Sequence, residues 1–401
     1  MGTATLQLTR PNTIESSERL LQQIVADSSQ RLDLRIPHAL KGDDLGGLAS
    51  TLQVIATWAR RNPHGRLHTY VPSIHDQSSL ENLLEHDHGL FSVLMAPVVV
   101  DRSGNDITYA ARRDAIRRLD RIADFSGAKR GSEALIAAAD HTSRHEPEAL
   151  YTPARGSANG KLRNEGAMAR LVREFGGLVQ VGPRSKELLF QNVDPIAQIL
   201  HELLDNTHRY ARFHTDGLTA LNPSVRLVKA EAVGQSLDVL ARRVRNQPLL
   251  YNYLRHESHE SPLYQESVVR DMRRFLEISV LDTGPGIAAR RLDELQQSDK
   301  PSLPMEISAL FDCLRKHVTT SSNTSRGLGL DHVQSTLTTL RGFIRIRTGR
   351  VELIRDFIAS PYSPLEDQAL KWDLDLAEQS RQDICGSLVT MLIPTNFRRG
   401  T

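Results

Sequence analysis

Hydrophobic and polar positions switch between two periods along the chain, which predicts a mixed α/β protein. From Arg31 to Pro37, Leu32, Leu34 and Ile36 alternate with charged residues, the pattern of a half-buried strand. Leu48, Leu52, Ile55 and Trp58 then recur three or four apart up to Asn62-Pro63, predicting a helix that Asp43 or Asp44 would cap. A strand over Arg66 to Val71, a helix near Ser79 to His86 and an apolar strand over Phe91 to Val100 continue a βαβαβ alternation that suits a small, partly parallel sheet. Helical spacing returns at Ala110 to Phe125 and Gly160 to Phe175, while Ser143 to Asn159, rich in Pro, Ser and Gly, predicts a loop. Residues 1–30 read as a polar lead. Gly176-Gly177 and Gly182-Pro183 mark the main boundary, separating an N-terminal α/β module over 31–183 from a second domain over 184–397.

Three segments of that second domain combine pattern with candidate chemistry. Ile196, Ile199, Leu200, Leu203 and Leu204 define the apolar face of a helix on which Glu202 and Asn206, four apart, share another face. A carboxylate there can orient a water, and the Asn carbonyl oxygen is a hard ligand that Mg²⁺ accepts beside phosphate oxygens. Taken alone, such an i,i+4 pair on an amphipathic helix is more often a plain solvated face. In the second segment, Leu276, Ile278 and Val280 alternate with Glu277 and Ser279 before Asp282-Thr283-Gly284-Pro285-Gly286, a strand that ends in an acid and a glycine turn. Glycines let backbone pass close to a flat ligand, and the acid can accept from an exocyclic amine; an ordinary turn has the same string. The third is Ser325 to Val333, where Gly327-Leu328-Gly329-Leu330 opens a helix whose free N–H groups can hold phosphate.

Composition narrows the classes. Fifty Lys plus Arg against 48 Asp plus Glu leave a net charge of +2, so no global field points to nucleic acid or an anionic membrane. Two cysteines, Cys313 and Cys385, are too few for a disulfide framework and read as free thiols, in keeping with a cytoplasmic protein. No apolar run reaches the roughly 20 residues a membrane helix needs. His86, His88, His256 and His259 read as solvated loop histidines rather than metal ligands. The arginines from Arg112 to Arg121 read as a salt-bridged helix face, and Arg341, Arg345, Arg347 and Arg350 as outward charge on a strand.

The three segments, in this order, resemble the GHKL superfamily, the ATP-binding domain of gyrase, the heat-shock chaperone, histidine kinases and MutL. Its asparagine box is similar to Glu202-Leu203-Leu204-Asp205-Asn206, its first glycine box to Asp282 through Gly286 and its second to Gly327 through Leu330. Gly342 to Thr348 and Gly386 to Pro394 resemble its closing strands, so the likeness covers about Ser185 to Asn396. It implies an α+β sandwich with helices on one face of a mixed sheet. It also implies that Asn206 binds Mg²⁺, Asp282 adenine, Gly284 and Gly286 the adenine-side turn, Gly327 and Gly329 the triphosphate, with Leu328 and Leu330 in the same box. Arg209 stands where kinase members carry a basic residue towards phosphate. Two departures accompany the match: a long insertion around Ser236 to Glu266, and Ser325 where many kinases have glycine. Gln296 to Ser325 reads as the lid, with Ile307, Leu310, Phe311 and Leu314 on a short helix.

The resemblance implies slow ATP hydrolysis, with Glu202 activating water, to drive a lid-closure or dimerisation switch. Two alternatives stay open: phosphoryl transfer to a protein partner in trans, and a non-hydrolysing ATP sensor. His145-Glu146-Pro147, the nearest candidate acceptor, carries a proline that breaks the helix a cis-acting histidine kinase requires.

Overall fold

The computed structural model describes residues 3–9, 12–26, 31–40, 42–123, 133–140, 146–152, 160–179, 183–256, 272–295, 301–315, 329–363, 372 and 381–395. These form an α/β protein with one parallel and one antiparallel sheet.

The parallel sheet has the order β1 (Thr3–Gln7), β2 (Arg31–Arg35), β3 (Arg66–His68), β4 (Val98–Val100). Its crossovers are α1 (Ile14–Ala26), α2 (Gly47–Arg61) and the pair α3 (Gln77–Glu85) and α4 (Asp87–Met95), with α5 (Thr108–Ala123) after β4. Leu6, Leu34 and Leu67 stand in one register row and are buried, while Thr5, Gln7, Arg35 and Arg66 are exposed. One face therefore meets the helices, while the other carries those exposed residues beside buried Asp33 and Val100.

The antiparallel sheet runs β5 (Glu133–Ala139), β6 (Val225–Ser236), β7 (Met272–Asp282), β10 (Ile384–Pro394), β8 (Phe343–Gly349), β9 (Val351–Asp356). Ile278, Val280, Ile344, Ile346 and Met391 pack its first face against α6 (Glu165–Leu178), α8 (Val193–Tyr210), α12 (Leu303–Leu314) and α13 (Gly329–Leu340). The remaining helices are α7 (Pro183–Gln191), α9 (Leu237–Arg243), α10 (Pro248–Arg255) and α11 (Ile287–Glu294). Ala137, Leu227, Leu281 and Leu388 on the second face share a core with α2 and the parallel sheet. Helix α2 thus lies between the sheets, with every residue from Gly47 to Ala59 buried. Its Trp58 Nε1 donates to Leu32 O on one side at 2.8 Å, and its Gln53 Nε2 to Arg347 O on the other at 3.1 Å.

The structure corrects several expectations. Residues 1–30 are not merely a polar lead, since they contain β1 and α1. Asp43 and Asp44 do not cap α2, whose N-cap is Gly46 at φ 76°. Their carboxylates instead accept from Asn12 N and Ile14 N, holding the start of α1. Phe91 to Met95 is helix rather than strand, because α4 is wrapped by α2, α3 and α5 and needs no polar side. Strand β5 lies before Gly182-Pro183 yet pairs with β6, so the sheets do not divide at that boundary. His88 is buried in α4 with Nε2 3.1 Å from Pro37 O, and is no solvated loop histidine. Arg345 and Arg347 point inward, at 5% and 1% exposure, because the N-terminal helices cover the face they occupy. The insertion begins with α9 and α10, whose Leu240, Val244, Leu250 and Tyr253 bury a small core on Phe275 and Phe343. Its residues 257–266 lie outside the described residues, as do His145 and His259. Among the described residues, no helix is long and apolar enough to cross a membrane.

Candidate functional site

Helix α8 turns its leucines and isoleucines to the sheet and leaves Glu202, Asp205, Asn206 and Arg209 on the accessible side. The first residue of α13, Gly329, lies against this side. A Cβ there would stand 2.6 Å from Glu202 Oε2 and 3.9 Å from Asn206 Nδ2, so a side chain at this position would displace the Glu202 carboxylate. One turn back along α8, Gln198 Oε1 is 3.1 Å from His332 Nε2, fixing how α13 lies along α8. Leu330 is half-buried and packs on the same core. Gly327 and Leu328 lie outside the described residues. Arg209 is exposed, with its Nε 2.7 Å from Asp205 Oδ2 in an i,i+4 pair. Burial pushes the Glu202 carboxyl upward, an effect that His201 and His332 oppose and Asp205 reinforces.

Asp282 ends β7 beneath the glycine turn. Its Oδ1 accepts from Gly284 N at 2.9 Å and Ser387 N at 3.3 Å. Burial nevertheless raises it from the ordinary 3.8 to about 6, against those two hydrogen bonds and the Arg226 cation. Gly284 is needed for close approach, since a Cβ would lie 2.6 Å from Ala211 Cα, just past α8. That contact joins the glycine turn to the helix bearing Glu202 and Asn206. Gly286 has φ 96° and leads into α11, where Ile287 N donates to Thr348 Oγ1 at 3.0 Å.

Several residues around Asp282 gave no sequence signal of their own. Thr348 and Ser387 bring their hydroxyls within 3.2 Å of each other beside it. Arg226 stands in register with Asp282 across the β6–β7 ladder. Fully buried, it reaches Asp140 with two nitrogens, at 3.0 and 2.5 Å, and also donates to the Tyr151 hydroxyl. Burial, with Arg212 and Arg226 nearby, drives His208 down to about 3 and keeps it neutral. Only pairing across strands distant in sequence assembles this cluster.

The arrangement can do definite chemistry. A helix start facing a carboxylate and a carboxamide can receive an anionic group with a bound cation. Asn206 Oδ1 and Glu202 are hard oxygen donors suited to Mg²⁺. Among the described residues, no group of three or more His, Cys, Asp or Glu could hold a metal. Mg²⁺ here would complete its shell with waters and phosphate oxygens. The Asp282 carboxylate, opposite the glycine turn, can accept from an N–H of a flat ring. No family model matches the chain, and no curated protein or solved structure is significantly similar to it.

Proposed function

We propose that the chain binds Mg-ATP at this site as GHKL ATPases do and hydrolyses it slowly to drive a conformational switch. The observation that carries the reading is the approach of Gly329 to Glu202 and Asn206, with Asp282 buried at the other end of α8's reach. Candidate residues on a helix, a strand end and a second helix start, with α8 and α13 together on the first face of the sheet, support it. The described strands of that sheet pair antiparallel where the resemblance implies a mixed sheet, and α2 covers the second face.

In this reading Asp282 accepts from the adenine amine while Gly284 and Gly286 keep the turn flat against the ring. Asn206 Oδ1 helps to hold Mg²⁺, which neutralises phosphate charge when bound. Backbone N–H groups at the start of α13 face the phosphates. Glu202, with its proton affinity raised by burial, takes a proton from the attacking water. Helix α12, inside the stretch expected to be the lid, is held by Glu306, whose Oε1 accepts from Arg350 Nε at 2.9 Å.

The test follows γ-labelled ATP with Mg²⁺ on the full chain, comparing wild type with Glu202→Ala and Asp282→Asn. Free labelled phosphate from wild type, lost in both variants, is the expected result. Retention of nucleotide without phosphate release would sink hydrolysis and turn the search to a trans acceptor or a sensor.

A further inference from the structure

We infer that Arg60, supplied by the N-terminal module, is a positioning residue for Asp282, so that the nucleotide site is complete only when both sheets are assembled. The inference rests on the nucleotide reading above and adds a residue to that site from outside the resemblance. One Arg60 terminal nitrogen donates to Pro223 O at 2.7 Å and to Thr283 O at 3.0 Å. Pro223 stands just before β6 and Thr283 just after Asp282, so a single guanidinium spans both loops at this end of the ladder.

The second acceptor matters most. Thr283 C=O and Gly284 N–H belong to one planar peptide unit. Arg60 grips the carbonyl end of that plane while the N–H end donates to Asp282 Oδ1 at 2.9 Å. Rotation that freed the carbonyl would also swing the N–H away from the carboxylate. A charge-assisted bond to the carbonyl further polarises the N–H that Asp282 receives.

The same turn of α2 grips the neighbouring strand. Thr57 Oγ1 accepts from Cys385 N at 3.1 Å, two residues before Ser387, whose N–H is the other donor to Asp282. Arg61 donates to Asp383 Oδ2 at 2.7 Å. Positions 57, 60 and 61 share one helix face. Both backbone donors that hold the carboxylate are thereby tied to one helical turn of the other module. At the opposite end of α2, Gly46 N donates to Glu277 Oε2 at 3.0 Å, so the helix is fixed at both ends.

The experiment measures binding of Mg-ADP and Mg-IDP to the full chain by calorimetry, with thermal melting to check folding. IDP carries a carbonyl where adenine has its amine, so the ratio of affinities reads the Asp282 contact itself. Arg60→Met should lower ADP affinity by about tenfold, the order expected for losing a charge-assisted bond, and leave IDP within about twofold. Arg60→Lys should restore part of the preference for ADP. An unchanged ratio in Arg60→Met, or an equal loss for both nucleotides, overturns the inference. If Arg60→Met does not melt cooperatively, the ratios in Arg60→Lys and Thr57→Val decide. A wild type that binds neither nucleotide, or an Asp282→Asn variant that keeps the wild-type preference, overturns the nucleotide reading rather than the role of Arg60.

Discussion

Arg347 on β8 and Glu18 on α1, 329 positions apart in the chain, form an ion pair with Nε 2.9 Å from Oε1, and Arg347 is only 1% exposed. Arg347 also donates to the Gly349 and Gln382 carbonyls, each at 2.6 Å. Beside it, Arg345 pairs with Glu352 and donates to Ser50 Oγ of α2 at 3.1 Å. The charge of Arg347 is therefore matched by a covering helix, and that of Arg345 by the neighbouring strand β9.

Removing one partner leaves the other charge buried. Glu18→Ala should cost roughly 3 kcal/mol, measured by denaturant unfolding, whereas Glu18→Leu combined with Arg347→Met should recover much of the loss. A single variant within 0.5 kcal/mol of wild type, a change typical of surface sites, would show that the pair contributes little.

Asp282 titrates in a testable range. Its carboxyl, raised to about 6, is protonated below that pH and cannot then accept freely from an amine. ADP affinity should be constant above pH 7 and weaken as pH falls below about 6, approaching tenfold per unit. Asp282→Asn should bind weakly and show no such slope. Calorimetric titrations between pH 5 and pH 8, a window of about one to two units around that value, check both.

Asp44 gives a prediction about stability rather than binding. Its Oδ1 is buried without a partner, and burial raises the group from 3.8 to about 6, although Arg345 and Arg243 oppose the shift. For a raised acid, the stabilising contribution is complete below the unfolded value and is lost as pH rises through the folded one. Asp44→Asn should therefore unfold at higher denaturant than wild type at pH 8, by roughly 1 to 3 kcal/mol, and the gap should close towards pH 4.

Gly284→Ala tests the joint between the turn and α8. Its Cβ would meet Ala211 Cα at 2.6 Å and Ala211 O at 2.9 Å, backbone atoms that cannot swing aside. A cost of about 1 to 3 kcal/mol and loss of nucleotide binding are expected, read by unfolding and by ADP titration. Wild-type affinity in this variant would remove the turn from the site.

Much of this was legible in local pattern. The apolar spacing of α8, the alternation along β7 and the helix after Gly329 follow from the residues within each element, as do the shared helix face of Glu202 and Asn206 and the place of Asp282 before a glycine turn; that Gly329 meets Glu202 does not. Features set by distant partners were hidden. The run Leu90 to Met95 has no polar face because three helices enclose it, so a buried helix and a buried strand look alike there. Arg345 and Arg347 alternate as solvent-facing residues would, and only α1 and α2 turn that alternation inward. Strand β5 finds its partner in β6, beyond three intervening helices, a pairing no local period encodes. Arg60, by spacing alone, is just a basic residue in the last turn of a helix.

Helix α2 has no solvent side, and this changes which substitutions the chain can accept. On an ordinary amphipathic helix, Thr51, Gln53 and Thr57 would drift freely while Leu52 and Ile55 stayed fixed. Here Thr51 meets Asn12, Gln53 meets the β8 backbone and Thr57 meets Cys385, all inside the molecule. Variation in this helix should be suppressed around its whole circumference, leaving its polar positions as constrained as its leucines.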